Sequence, residues 1–211
     1  MPFVNKAYEN AAVSVIKEFK RHNMEACYCA TIEEAREKVL SLIPEGSSVT
    51  WGGTQSMAEA GVCDAITNGN YEFIDRKSAN TPEEARALFG RIVCADYFLT
   101  STNAFTKDGI LVNIDGASNR VACIAHGPAH VIVLASMNKM CDSVEDAFKR
   151  IRTHACPPNS LRVNVNTPCS KTGICSECLS PENICCNFLV TRYSKVPGRI
   201  QVILCGEKLG F

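Results

Sequence analysis

Apolar positions along the chain recur at two spacings, and the alternation between them predicts the architecture. Between residues 7 and 22, Ala11, Ala12, Val15, Ile16 and Phe19 return every three or four positions among charged neighbours, the stripe of an amphipathic helix. Cys27 to Ala30 reads as a short strand, and Thr31-Ile32-Glu33-Glu34 then opens a second helix with a capping box, ending before Pro44 and Gly46. Ser48 to Trp51 is a short strand that runs into Gly52-Gly53-Thr54, and helical character resumes from Ser56 to Ala65. Tyr71 to Asp75 predicts another strand. Thr81-Pro82-Glu83-Glu84 predicts a helix to about Val93, with an N-cap, a proline at its first position and acidic residues facing its dipole.

Asp96 to Ser101 is strand-like, and Lys107-Asp108-Gly109 is a hairpin turn signal before the alternating Ile110, Val112 and Ile114. Val131 to Ala135 is a buried strand of β-branched and aliphatic residues, Ser143 to His154 a helix, and Arg199 to Cys205 a closing strand. This order predicts an α/β fold: a mainly parallel, Rossmann-like sheet with helices on both faces, one hairpin inserted around residues 96 to 115, and a cysteine-rich excursion. The expected organisation is one α/β domain over 1–165 and 197–211, with a cysteine-rich, metal-binding insertion over 166–196.

The 211 residues carry 22 Lys and Arg against 22 Asp and Glu, so no global field favours nucleic acid or an anionic membrane. No apolar run approaches the ~20 residues of a membrane-spanning helix. The first residues, Met1 to Lys6, lack the apolar core of a secretory signal, which predicts a cytoplasmic protein with reduced thiols.

Six of the thirteen cysteines fall between Cys156 and Cys186, and five of those lie in the block from Cys169 to Cys186. A Cys-x2-Cys pair, Cys175 and Cys178, sets two sulfurs on one turn, and cysteines to either side can complete a four-thiolate shell. The neighbours are Ser, Thr, Gly, Pro, Glu and Asn, so the block offers little core for buried thiols to fill. Disulfides and a redox Cys-x-x-Cys pair are the alternatives to a metal or cluster site. Cys94, Cys123, Cys141 and Cys205 sit in apolar or helix-like segments and are expected to be small buried hydrophobes. The expected ligands are Cys169, Cys175, Cys178 and Cys185, which join the close pair to one sulfur on either side without using two adjacent residues, with Cys186 the alternative to Cys185. An iron–sulfur cluster is favoured over zinc, because a structural zinc site usually brings two close pairs.

Three polar clusters complete the inventory. Gly52-Gly53-Thr54-Gln55-Ser56 lies where a strand hands over to a helix, with Glu59 one turn on, and could hold a phosphate or carboxylate or simply make a tight turn. Thr102 and Asn103 end one strand, and Asp115, Asn119 and Arg120 follow the next. Asp115 is the candidate to move a proton and Arg120 to hold a carboxylate in a bidentate fork. Lys139 follows the Val131 to Ala135 strand and could meet a ligand carboxylate. His126, His130 and His154 read as turn or helix-end residues, His154 at a helix C-terminus.

Taken together, Trp51 to Gly61, Ala95 to Ala104 with Asp108-Gly109, Asn113 to Gly116 with Asn119-Arg120, Val131 to Ala135 ahead of Asn138-Lys139, and Pro157-Pro158-Asn159 resemble the LUD (lactate-utilisation) family. The block from Thr167-Pro168-Cys169 to Cys185, with Leu209-Gly210-Phe211, resembles a subgroup carrying a cysteine-rich insertion, in which one cysteine stands where this chain has Cys185 and Cys186. The resemblance implies a fold similar to ribose-5-phosphate isomerase and CoA transferases, and a phosphate, CoA or small-acid pocket. It implies a role near the oxidation of lactate to pyruvate or related small-carboxylate metabolism. The CoA transferase glutamate has no clear counterpart. The function expected is binding of a small anionic metabolite. The alternatives are an accessory or electron-transfer subunit that partners an iron–sulfur oxidoreductase, or a zinc-clipped binding module.

Overall fold

A computed structural model describes residues 2–211. Its main sheet is built from β1 (Glu25–Cys29), β2 (Ser48–Trp51), β3 (Glu72–Phe73), β4 (Tyr97–Thr100), β7 (His130–Ser136) and β10 (Ile200–Cys205), in the order β1-β10-β7-β4-β2-β3. Every pairing in it is parallel. Alternation along each central strand sends side chains to opposite faces. Phe98, Val131, Val133, Val202 and Leu204 pack under α1 (Pro2–Arg21), α5 (Pro82–Val93) and α6 (Asn119–Ala125). Leu99, Ile132, Leu134 and Ile203 pack against α2 (Ile32–Ser41), α3 (Gln55–Glu59) and α4 (Val62–Asn68) on the other face. The predicted parallel sheet with helices on both faces is therefore present.

The caps behave as their chemistry requires. Thr31 accepts the amide of Glu34 at 3.2 Å and Thr81 that of Glu84 at 3.1 Å. Each of these glutamates reaches one residue further back than a standard capping box, to Ala30 N and Asn80 N.

The predicted hairpin is corrected by the structure. The strand before it, β4, belongs to the main sheet, whereas β5 (Ala104–Thr106) and β6 (Leu111–Asp115) form an antiparallel pair in a separate sheet with β8 (Met140–Cys141) and β9 (Asn187–Thr191), in the order β8-β5-β6-β9. Thr102 makes the departure possible, since its hydroxyl donates to the Ala104 carbonyl at 2.7 Å and satisfies the chain where it leaves the ladder. Strand β9 is antiparallel to β6, with Asp115 opposite Asn187. All five residues of β6 are buried, because α7 (Val144–Arg150) and its continuation cover one side through Ala147, Ile151 and Ala155.

The helix predicted to end near His154 also runs on. After α7 comes a π-helical turn, Ile151–Ala155, and then α8 (Cys156–Arg162). Pro157 and Pro158 lack amide hydrogens, and their rings would strike the carbonyls one α-turn back; the wider turn moves those carbonyls aside, with Cys156 N bonded to Ile151 O. His154 consequently lies inside a continuous helical stretch, not at its end. Two further expectations change: Cys94 is exposed and Cys141 half-buried, while Cys123 and Cys205 are buried in the core. None of the described helices is long and apolar enough to cross a membrane.

Candidate functional site

The carboxyl ends of β2 and β4 open into a cavity of about 320 Å³. In an open parallel sheet this is where a ligand sits, because loops diverge there and leave polar groups facing a crevice. Gly53, Thr54, Gln55 and Ser56 come from the turn after β2, and Thr102 and Asn103 from the end of β4. Asp115, Asn119 and Arg120 come from the end of β6 and the start of α6, and Lys139 from the turn after β7. Ten of the predicted positions thus converge on one space.

Gly52 and Glu59 do not line it. Gly52 lies behind the site, where a Cβ would stand 2.9 Å from Arg120 Cγ and 3.1 Å from the Phe98 ring, so the packed arginine requires a glycine there. The Glu59 carboxylate accepts the Gly210 amide at 2.6 Å and fastens the segment Leu209-Gly210-Phe211 over the cavity. Gly210 (φ +61°) passes so close that a Cβ would come within 2.7 Å of Ser56 Oγ and 3.3 Å of Lys139 Nζ.

Arg120 is buried at 9% exposure, and all five of its N–H groups are engaged by the protein. Nε donates to Asp115 at 3.2 Å; Nη1 to Asn113 Oδ1 at 2.9 Å and Ser101 O at 3.4 Å; Nη2 to Asn103 Oδ1 at 2.8 Å and Ile114 O at 2.7 Å. The expected bidentate fork for a substrate carboxylate is therefore occupied by protein acceptors. A guanidinium has five donors and no more. Arg120 instead clamps the ends of β4 and β6 together and orients Asp115, whose other oxygen accepts the Ser118 amide at 3.0 Å.

Lys139 is the buried cation whose charge is left for a ligand to complement, its three N–H donors, like the five of Arg120, already having acceptors in the protein. It is 3% exposed and, among the described residues, has no carboxylate within ion-pair distance; Nζ donates to Ser56 Oγ at 3.0 Å, Ser101 Oγ at 3.1 Å and Thr102 O at 3.4 Å. Burial, reinforced by the charges of Arg150 and Arg120 and opposed by Glu59, pushes its pKa down to about 7. At the mouth stand Arg76 and Arg162, which the sequence reading did not single out. Arg162 donates from Nε and Nη2 to the side-chain Oδ1 of Asn159 at 2.9 and 2.7 Å, and burial followed by the nearby Arg76 lowers its pKa. Gly53 lies between them, an added Cβ being 3.4 Å from Arg162 Nη2 and 3.8 Å from Arg76 Nη2. Helix α3 is a single turn of five residues, so positive side chains and not a long dipole make this turn attractive to an anion. The signal that marks Arg162 is its spacing three residues after Asn159, with which it pairs on one helical face.

A second cavity, of about 200 Å³, lies beyond Ile184, which lines both. Cys156, Cys169, Cys175, Cys178 and Cys185 line it, so the four predicted ligands share one space with a fifth thiol from the start of α8. Cys186 is exposed, its Sγ turned to Asn183, while its amide donates to Asp115 O at 3.1 Å. Cys169 rides on α9 (Pro168–Thr172), with its sulfur 3.3 Å from Thr167 Oγ1, and Cys156 Sγ lies 3.5 Å from Cys185 Sγ. All thirteen cysteines are free thiols. Among the described residues, no three His, Cys, Asp or Glu side chains converge on a single ion-sized point.

The whole chain has the fold of a DUF162 family protein from Deinococcus radiodurans, at 12% identity and a TM-score of 0.54 over 95% of this chain and 98% of that one. Ribose 5 phosphate isomerase A from Neisseria gonorrhoeae aligns over 55% of this chain and 56% of its own at 12% identity, with a TM-score of 0.34, too slight a likeness to bear on fold or function. Comparison with curated proteins returns no match. The LUD domain model matches residues 13–205, nearly the whole length over which the two sheets and both cavities are built, and the chain therefore belongs to the LUD domain family.

Proposed function

We propose that the larger cavity binds a small anionic metabolite, a carboxylate or a phosphate ester, and that the protein acts in lactate or related small-carboxylate metabolism. The observation that carries this reading is Lys139. A buried lysine costs folding energy unless a partner offsets its charge, and here only hydroxyls and a carbonyl attend it inside a crevice. An anion supplied by a ligand is the natural complement.

The remaining groups divide the work. Arg76 and Arg162 draw the anion to the mouth, Thr54 and Ser56 offer hydroxyls to its oxygens, and Asp115 lines the same cavity. A lysine whose pKa is near neutrality can both stabilise negative charge and exchange a proton. Asp115 and Lys139 are accordingly the pair assigned to proton handling, with Arg120 as the residue that positions Asp115.

Calorimetry with lactate, pyruvate, sugar phosphates and CoA, on the protein and on Lys139→Met, tests the reading. At least one ligand should bind the parent protein and lose roughly 10- to 100-fold in affinity in the variant, the worth of one charge-assisted hydrogen bond. Failure of every ligand to bind, or equal binding by the two proteins, removes it.

A further inference from the structure

The thiol-lined cavity is independent of the anion site, and its shape separates two kinds of metal chemistry. A zinc ion needs four donors at about 2.3 Å from one point, which brings the sulfurs to within about 4 Å of each other. Here five thiols are spread around roughly 200 Å³, and among the described residues no three of them share a centre. A polynuclear cluster has the opposite requirement, because each thiolate binds a different iron and inorganic sulfide fills the space between.

We propose that this cavity takes a four-iron iron–sulfur cluster ligated by Cys169, Cys175, Cys178 and Cys185, with Cys156 donating an S–H···S hydrogen bond to the Cys185 thiolate. Cys175 and Cys178 are brought to the same side by a turn with Glu177 at φ +52°, and Cys169 is presented from the first turn of α9. Cys185 enters from the segment that leads into β9. Cys186 is excluded because its amide is bonded to Asp115 O and its sulfur faces solvent and Asn183. Cys156 lies 3.5 Å from Cys185 Sγ, too close for the two to serve separate irons and well placed for one to donate to the other.

The surroundings suit such a group. Leu179, Ile184 and Phe188 give the cavity an apolar wall, and Phe188 is braced edge-on by Phe148 at 5.5 Å between ring centres. Arg152 pairs with Glu177 and lies over the Phe188 ring at 5.9 Å, so a cation sits beside a group that would carry net negative charge.

The experiment is anaerobic purification, followed by reconstitution of the full chain with ferric iron, sulfide and a thiol reductant that supplies the ferrous half of the cluster. The expected result is about four irons and four sulfides per chain with the broad visible absorption of iron–thiolate charge transfer. Cys185→Ser should lose the cluster and Cys186→Ser should keep it. Cys156→Ala should keep the cluster and lower its reduction potential, since a hydrogen bond to a thiolate favours the more negative, reduced state. One zinc per chain bound in preference to iron, less than one iron per chain after reconstitution, or a Cys156–Cys185 disulfide without iron would each overturn the proposal. Loss of iron in Cys156→Ala to the same degree as in Cys185→Ser would overturn the assignment of Cys156 as donor. Iron content is read without any metabolite, so the anion site can fail while this one stands.

Discussion

Lys139 Nζ and Ser56 Oγ lie 3.0 Å apart, a contact between residues 83 positions distant that joins the turn after β7 to the turn after β2. It holds an ammonium group that is only 3% exposed to solvent. The folded state lowers its pKa from 10.5 to about 7, so the charged form is penalised natively but not in the unfolded chain. Between those two values the unfolded chain holds the extra proton, and stability rises with pH across that window. Denaturant unfolding from about pH 7 to about pH 10 should show this rise, and Lys139→Met should flatten it. Anion affinity should move the other way, falling up to tenfold for each pH unit above about 7 as the ammonium is lost.

Arg120→Met is expected to destabilise the protein by about 3–5 kcal/mol, because it leaves buried Asp115 without its counter-charge and removes one donor from each of four further acceptors. A chemical denaturation curve measures it. A variant with full stability and reduced ligand affinity would instead return Arg120 to direct ligand contact.

The two glycines of the β2 turn should respond in opposite ways. Gly52→Ala drives a methyl against Arg120 Cγ and the Phe98 ring and should cost roughly 1–3 kcal/mol. Gly53→Val meets only the far ends of two flexible guanidinium groups, so folding should survive while anion affinity drops. Comparing the melting temperature of each variant with its ligand titration distinguishes the outcomes.

Glu59→Gln exchanges the charge-assisted bond to Gly210 N for a weaker one. The expected effect is faster amide hydrogen exchange at Gly210 and Phe211, with the exchange of β7 and β10 unchanged. Equal protection in parent and variant would show that Arg150, whose guanidinium reaches Phe211 O at 3.4 Å, suffices to hold the segment.

What could be read from the residues alone follows the strength of local signals. Strands β7 and β10 announce themselves through the apolar runs Val131 to Ala135 and Val202 to Cys205 because both of their faces are covered, and Thr81-Pro82 marks a helix start by local chemistry alone. The second sheet has no such signal. β5 and β8 have three and two residues, and β9 carries exposed Phe188 and Val190 in a segment that composition reads as loop. Helix α6 is obscured for a different reason: its cap, Ser118, sits at φ +66° without a side-chain capping bond, so the usual start pattern is missing. The convergence of Lys139, Ser56 and Ser101 depends on strand order, which periodicity does not encode. The five donors of Arg120 look like a free cation in sequence and become a saturated clamp only once β4 and β6 are aligned.

The position of β10 between β1 and β7 carries a consequence for how the chain comes into being. Strand β1 has no parallel neighbour until residues 200–205 arrive, since its ladder runs from Glu25–Gln201 to Cys29–Cys205. Between the synthesis of residues 130–136 and that of residues 200–205 the nascent chain therefore exposes two unpaired strand edges, those of β1 and β7, which is the condition under which chains pair with the wrong partner. Closing a gap of this length is entropically slow, and the central strand must be inserted rather than added at a rim. Refolding should accordingly be slow for a protein of this size, and removal of the last dozen residues should leave a chain that aggregates rather than a smaller folded one.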